Sequence, residues 1–429
     1  MSIIYNNFNV EAAASFKATI TDVNRSVYFH MSKDSPWPNE SNPPAPIPSV
    51  SAQQLSMCDL IAAHRISTTD VAICIKRNDW VFGTVYDQYD YSKPTQVINE
   101  TIYVITSEYH VYKCLGNNFG ARSEYEPSGT SIQPANTPDG YLWKYMLTVP
   151  RYHVEKFLNE EFIPIKDAPI PSDDQWLVES NAVRGAIESF NITSKGSLYA
   201  YANIEIIGDG IGAEAVAITQ QGKIINVHIA NRGHGYTWAH AVITGDGSGA
   251  EIIPQISPGE GHGSNAAREL GGHYLMITSD FMIDDNNNIP ASFTFRKVGI
   301  IADIVDSDDN PVVNYVISGC YKIYADMSVF NHQDDLLFRS GKYKGKVVAY
   351  GEDTGGTYLL LTEICNPRLL TVGDDFIDVN NSSKTGTVTS IIPPDINRFS
   401  KGLPLYVSHR HPIIKNVNQV EYAKFVVEF

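Results

Sequence analysis

Asp306, Asp308 and Asn310 set oxygen ligands at alternate positions, which is how a calcium-binding loop of the helix–loop–helix type begins. That loop also needs Gly at its sixth position and Glu at its twelfth, where this chain has Pro311 and Ile317. His409 and His411 place two imidazoles on one face of a strand, but a metal takes three or four ligands and the pattern supplies no third. The acidic pairs Asp173-Asp174, Asp334-Asp335 and Asp374-Asp375 are adjacent, so in a strand their carboxylates point to opposite faces rather than forming a dyad. Asp284 to Asn288 reads as a solvated turn. No G-x-S-x-G and no P-loop occurs. No catalytic residue, metal or cofactor is therefore assigned, and the chain is expected not to be an enzyme.

The most conspicuous local pattern is a repeat. Gly208-Asp209-Gly210-Ile211-Gly212-Ala213-Glu214 recurs 37 positions later as Gly245-Asp246-Gly247-Ser248-Gly249-Ala250-Glu251, each between β-type runs. A dinucleotide fingerprint needs a helix after its glycines, and here strands follow. A calcium β-roll needs many tandem nonapeptides. A sugar-binding module stays open. The plainest reading is a pair of turns using Gly where φ is positive.

The elements that must carry these residues are mostly strands. Period-two alternation broken at Gly, Asn and Pro every eight to twelve residues is the pattern of β-sandwiches and small barrels. Helices are expected only at Glu11–Thr19, at Ser51–His64 with Ser51 as cap, and at Asp173–Asn181 with Trp176, Leu177 and Ser180 on one side. Between Phe338 and Ile392, Lys342–Tyr350, Thr357–Ile364, Leu369–Val372, Gly373–Ile377 and Gly386–Ile391 read as five short strands of a small barrel or sandwich extension. From Tyr422 the chain alternates, with Ala423, Phe425, Val427 and Phe429 on one face, as in a half-buried terminal strand.

Composition limits the partners. Charged residues are 19% of the 429, below the usual quarter, whereas aromatics reach 11% with 24 Tyr. A net charge of −16 argues against binding a phosphate backbone, which needs concentrated Lys and Arg. No apolar run approaches the roughly 18 residues of a membrane span, and the first residues lack the pattern of a signal peptide. The five cysteines are scattered without C-x-x-C and read as reduced core fillers.

Four blocks give more than composition does. Tyr28-Phe29-His30 leads to Ser35-Pro36-Trp37 and a Pro-rich run from Pro43 to Pro48. Arg77-Asn78-Asp79-Trp80 follows. Val111-Tyr112-Lys113-Cys114-Leu115 then precedes a polar spacer and Asp139-Gly140-Tyr141-Leu142-Trp143-Lys144-Tyr145. Near the end come Arg410-His411-Pro412, Gln419 and a hydrophobic finish at Phe429. In this order the blocks resemble the dimeric baseplate wedge proteins of contractile-tailed bacteriophages of the T-even type, over roughly residues 20–165 and 398–429. The Gly-Tyr-Thr and Gly-x-Gly-Ala phrasing of the repeat also looks like small β modules of phage structural proteins.

The resemblance implies a structural virion protein in the tail baseplate, made in the host cytoplasm. It would pair with itself and with other wedge proteins, and help transmit the change that triggers sheath contraction. It carries Trp37, Arg77, Asp79, Trp80, Tyr112, Cys114, Asp139, Gly140, Tyr141, Trp143, Tyr145, Arg410, Pro412, Gln419 and Phe429 as signature, core or interface positions. The aromatics among them weigh toward core, because large rings are mostly buried in their own domain. No nucleic acid and no membrane is expected as partner, and a peripheral tail protein that binds or cleaves host glycans is the weaker alternative. The expected organisation is a β body over 1–195, a Gly-rich β module over 196–270, body again over 271–337, a small β module over 338–395, and a closing strand segment over 396–429.

Overall fold

The computed structural model describes residues 6–93, 96–166, 170–171, 173–281, 290, 292–338, 343–364, 370–397, 402–416 and 421–429. Strands take 47% and helices 12%, so the chain is mostly β with few short helices. It divides into two compact units, one from 1–16, 72–276 and 426–429, the other from 17–71 and 277–425.

The second unit contains an antiparallel sheet ordered Val316–Ser318, Leu60–Arg65, Val27–Ser32, Phe293–Ala302, Leu403–Lys415. Val27–Ser32 and Phe293–Ala302 are buried at every position, as internal strands covered on both faces are. The expected helix over Ser51–His64 is corrected here. The helix is Val50–Cys58, its N-cap is Ser49 rather than Ser51, and Leu60–Arg65 is a strand. An unbroken apolar run such as Leu60-Ile61-Ala62-Ala63 has no period to separate helix from strand, and burial on both faces decides it.

The same unit holds a closed barrel ordered Tyr321–Met327, Gly356–Thr362, Tyr343–Asp353, Asp335–Phe338, Asp375–Asp378, Thr385–Ile392. Phe338 stacks on Tyr343 at 4.9 Å and meets Phe376 at 5.2 Å in its core. Leu370–Val372 forms no strand, and Leu369 lies outside the described residues. The ring is completed instead by Tyr321–Met327 and Asp335–Phe338.

In the first unit, Tyr103–Ile105, His110–Asn117, Tyr141–Thr148 and Ala135–Asn136 form a four-stranded antiparallel sheet in that order. Helix Asp174–Ser180 forms as expected but turns inward through Gln175 and Val178, leaving Trp176 and Leu177 exposed. Cys58, Cys74, Cys114 and Cys320 are buried, and Cys365 lies outside the described residues.

The Gly-rich repeat is a structural duplication. Ile187–Ser197, Ala202–Gly208 and Ile211–Gln220 match Lys223–His234, Ala239–Gly245 and Ser248–Ile256 at the 37-residue offset. The first strand of each copy pairs with the third strand of the other, Ile211 opposite His234 and Ser248 opposite Ser197. The middle strands pair with each other from Ala202↔Gly245 to Gly208↔Ala239, a register that maps onto itself under the offset. The glycines serve as expected only in part. Gly208, Gly210, Gly245 and Gly247 have no positive φ, which belongs only to Gly212 and Gly249. They are needed because rings lie against them: a Cβ on Gly247 would sit 2.5 Å from Tyr199, and Gly210 faces Tyr236 in the same way. Each Asp caps the segment after that Tyr. Asp209 accepts from Thr237 N (2.9 Å) and Trp238 N (3.1 Å), and Asp246 from Ala200 N (2.9 Å) and Tyr201 N (3.1 Å).

Glu421–Glu428 is the last strand of the chain. Phe425 is buried against Tyr406 (4.5 Å between rings) and Phe29 (6.2 Å). Phe425→Ala is expected to cost about 3–5 kcal/mol, and truncation after Tyr422 to lower the melting temperature or abolish soluble expression. A truncated chain that melts like the full one would show the strand to be dispensable.

His30 is fully buried in the internal strand Val27–Ser32, with only Ser32 Oγ (3.1 Å) beside Nδ1. Burial, with the nearby charge of Lys297, pushes the imidazole down to about 3. In the unfolded chain the ring titrates near about 6.5, so the unfolded state takes up the proton first and stability falls as pH drops through that window. Thermal stability should therefore fall already between about pH 6.5 and 5, above the carboxylate range, and His30→Gln should flatten that part of the profile.

Candidate functional site

The Tyr/Trp sheet of the first unit brings together most of the sequence-predicted positions. Tyr112, Cys114, Tyr141, Trp143 and Tyr145 share one buried cluster with Tyr86, Val104 and Val178, and Trp80 packs against it. Alternation puts Tyr141, Trp143 and Tyr145 on the same face of their strand. Tyr141 stacks on Trp143 (5.5 Å, 15° between planes), and Tyr112 meets Tyr145 edge-on at 5.8 Å. These rings are core.

Asp139 is the clamp of that sheet. Its Oδ2 accepts from the N–H groups of Glu124 (2.7 Å) and Tyr125 (3.1 Å), its Oδ1 from Thr137 Oγ1 (2.5 Å) and Tyr141 N (3.3 Å). Burial pushes its pKa up, but the hydrogen bonds from Thr137, Glu124, Tyr141 and Tyr125 outweigh it and hold the carboxyl below its ordinary value. Gly140 follows with φ +83°, and a Cβ there would approach Asn118 Nδ2 to 2.8 Å. One carboxylate thus pins the polar spacer to the strand that carries the rings.

The remaining predicted positions are spread out. Arg77 chelates Asp79 (2.9–3.1 Å) and donates to Asn159 O. Trp80 Nε1 donates to Ser123 Oγ at 3.1 Å. In the second unit Trp37 Nε1 donates to Arg410 O at 2.9 Å, with Lys33 Nζ 4.7 Å from its ring. Arg410 and Pro412 are exposed on their strand. Phe429, in the first unit, meets Phe16 at 5.4 Å, and Gln419 lies outside the described residues. His409 and His411 each lie beside a backbone oxygen, of Pro44 (2.6 Å) and Glu40 (2.9 Å), instead of sharing a ligand. Asp306 closes its own turn by accepting from Asp308 N and Asn310 N. Among the described residues, no group of three or more His, Cys, Asp or Glu is placed to hold a metal.

Two features had no local signal in the sequence. The first is a buried ionic network. Lys113 and Lys144 lie directly opposite on paired strands, each about 1% exposed. Lys113 Nζ meets Glu269 Oε2 at 3.0 Å with His262 Nδ1 at 3.3 Å, and Glu269 Oε1 accepts from Gly263 N at 2.7 Å. Burial alone would push Glu269 up, but the charge of Lys113 and the bonds from His262 and Lys113 hold it at about 2. Burial, followed by Lys113, lowers His262.

The second is a cleft of about 700 Å³ whose lining comes from Asn117–Phe119, Gln133–Asn136 and the repeat strands at Glu188–Ile192 and Ile225–Arg232. Those two strand segments hold matching positions of the duplication. Glu188, 4% exposed at its side chain, pairs with Arg232 at 2.7 Å. Among the described residues, Glu188 Oε2 and the Ser189 hydroxyl are buried without a hydrogen-bond partner.

No protein-family model matches the chain, and no curated protein matches it.

Because the Asp139 pKa is depressed in the folded chain, its contribution is complete above the unfolded value near about 3.9 and is lost as pH falls through the folded one. Asp139→Ala should cost about 3 kcal/mol through its unpaired N–H groups and open the 121–138 spacer to limited proteolysis. Asp139→Asn, which keeps one acceptor oxygen, should lose less. An unchanged digestion pattern in Asp139→Ala would show that the spacer is held by other contacts.

Proposed function

We propose that the chain is a structural virion protein, a baseplate wedge subunit of a contractile phage tail that works by subunit contact rather than catalysis. The ordered resemblance of its blocks supports this. So does the use of the matching residues: Tyr112, Asp139, Tyr141, Trp143 and Tyr145 build a framework, and Trp37 is tied to the strand carrying Arg410.

The observation that carries the reading is an exposed apolar groove of about 940 Å³ in the second unit. Trp37, the Pro44–Pro48 run, Leu55, Tyr406 and Val407 line it, and Ile47 and Leu55 stand 70% and 52% exposed. A proline-stiffened wall of apolar side chains held in water at little conformational cost is what a protein–protein contact uses. In this reading a second copy or another wedge protein fills the groove, and the chain passes the change at the tail tip to its neighbours through such contacts.

The purified chain is expected to scatter light as a dimer at micromolar concentration, and an antibody against it to label the tail end of phage particles. Ile47→Asp with Leu55→Asp should leave the circular dichroism unchanged, since both side chains are exposed, yet prevent incorporation into particles. A chain absent from purified particles would sink the wedge reading. Normal incorporation of the double variant would remove the groove from it.

A further inference from the structure

We propose that the cleft between the Tyr/Trp sheet and the duplicated strands is a binding site for a neutral glycan. Its lining is unusual in kind. Eight of the lining residues are Asn or Gln, and only Glu188, Arg232 and His228 are ionisable. A planar amide presents a donor and an acceptor side by side, the arrangement that vicinal hydroxyls of a sugar satisfy together. The apolar side chains of Ile218 and Leu142 lie among the amides and suit the C–H faces of the rings. Phe119, 45% exposed, stands at the rim with Lys195 Nζ 3.6 Å from its ring centroid, over one face.

Part of the polar lining serves the fold and part does not. Asn117 and Asn118 donate to backbone oxygens of Tyr86 (3.0 Å) and Asp139 (2.9 Å), and Asn231 accepts from Gly233 N (3.0 Å). The side-chain amides of Gln133, Asn136 and Asn191 make no hydrogen bond among the described residues. Beneath them Glu188 keeps one carboxylate oxygen, and Ser189 its hydroxyl, buried without a partner. Buried polar groups are nearly always paired, so the floor has bonding capacity that the fold leaves unused.

The charge decides between ligand classes. A phosphate backbone or an acidic sugar would need several free cations; the one Arg in the cleft is spent on Glu188 and on Asn181 O, and the Lys195 ammonium at the rim lies over the Phe119 ring. The volume lies within the roughly 300–1,000 Å³ of small-ligand sites. The floor is built from the same five positions of both repeats, Glu188–Ile192 and Ile225–Ile229, so two like strands face the ligand together.

The test uses the full chain and saturation-transfer NMR with calorimetry. The probes are maltotriose, cellotriose, mannotriose and chitotriose, with sialyllactose as the charged comparator and a neutral Asn/Ala tripeptide as the peptide comparator. At least one neutral trisaccharide should bind in the micromolar to millimolar range. Asn136→Ala with Asn191→Ala should weaken it about tenfold or more, roughly 1.4 kcal/mol, with no shift in the melting temperature. Should that pair disturb folding, Gln133→Ala at an exposed position is expected to weaken binding in the same direction. Trp238→Ala, an exposed aromatic outside the cleft, should leave binding unchanged. The proposal is overturned if no neutral trisaccharide binds at millimolar concentration, if sialyllactose or the tripeptide binds in preference, or if the cleft variants bind as the parent does. Tail labelling and light scattering do not bear on this outcome, so the glycan site and the wedge reading fail separately.

Discussion

Two lysines buried opposite one another set the terms for the first unit. Lys113 and Lys144 are cross-strand neighbours on the face of the sheet away from the Tyr/Trp cluster. Like charges in that position repel, and an ammonium removed from water costs several kcal/mol unless it is paired. Counter-charge therefore has to arrive from elsewhere in the chain. Glu269, from helix Ala266–Leu270, pairs with Lys113, while Lys144 Nζ donates to Ile132 O at 2.6 Å. Gly263 donates its N–H to Glu269 at a φ of +88°, and a side chain there would run into Val178. Meeting one electrostatic demand thus fixes a helix and a loop against the sheet.

The duplication answers a different constraint. Three strands cannot close a core alone, and each copy lends its third strand to the other's first. The tyrosines at 199 and 236 fill equivalent positions, and their rings leave no room for a Cβ on the opposing turn. The Gly-Asp-Gly turn is then a packing device: glycine admits the ring and aspartate accepts from the two N–H groups that follow it. The same pairing brings like segments of both copies to one cleft, so a structural repeat also produces a surface with chemistry of its own.

The two functional readings rest on different physics. The groove in the second unit exposes apolar side chains that gain by being covered. The amide-lined cleft of the first gains only where hydroxyls replace the water it holds. A protein assembled through the first feature is free to use the second for recognition.

The sequence alone determined what depends on neighbours a few residues apart. Alternation specified the terminal strand with Phe425 inward, the spacing of Tyr141, Trp143 and Tyr145 put three rings on one face, and the repeat was visible as a repeat. Only the tertiary structure decided what depends on environment. Leu60–Arg65 became a strand because it is covered on both faces, Trp176 turned outward because Gln175 and Val178 took the inward side, and Gly210 and Gly247 of the repeat answered to tyrosine rings rather than to φ. The signature aromatics proved to be core only once their surroundings were in place. Lys113 with Glu269 and Glu188 with Arg232 join residues 156 and 44 positions apart. No local period encodes such pairs, because a buried charge is satisfied by whichever partner the fold carries to it.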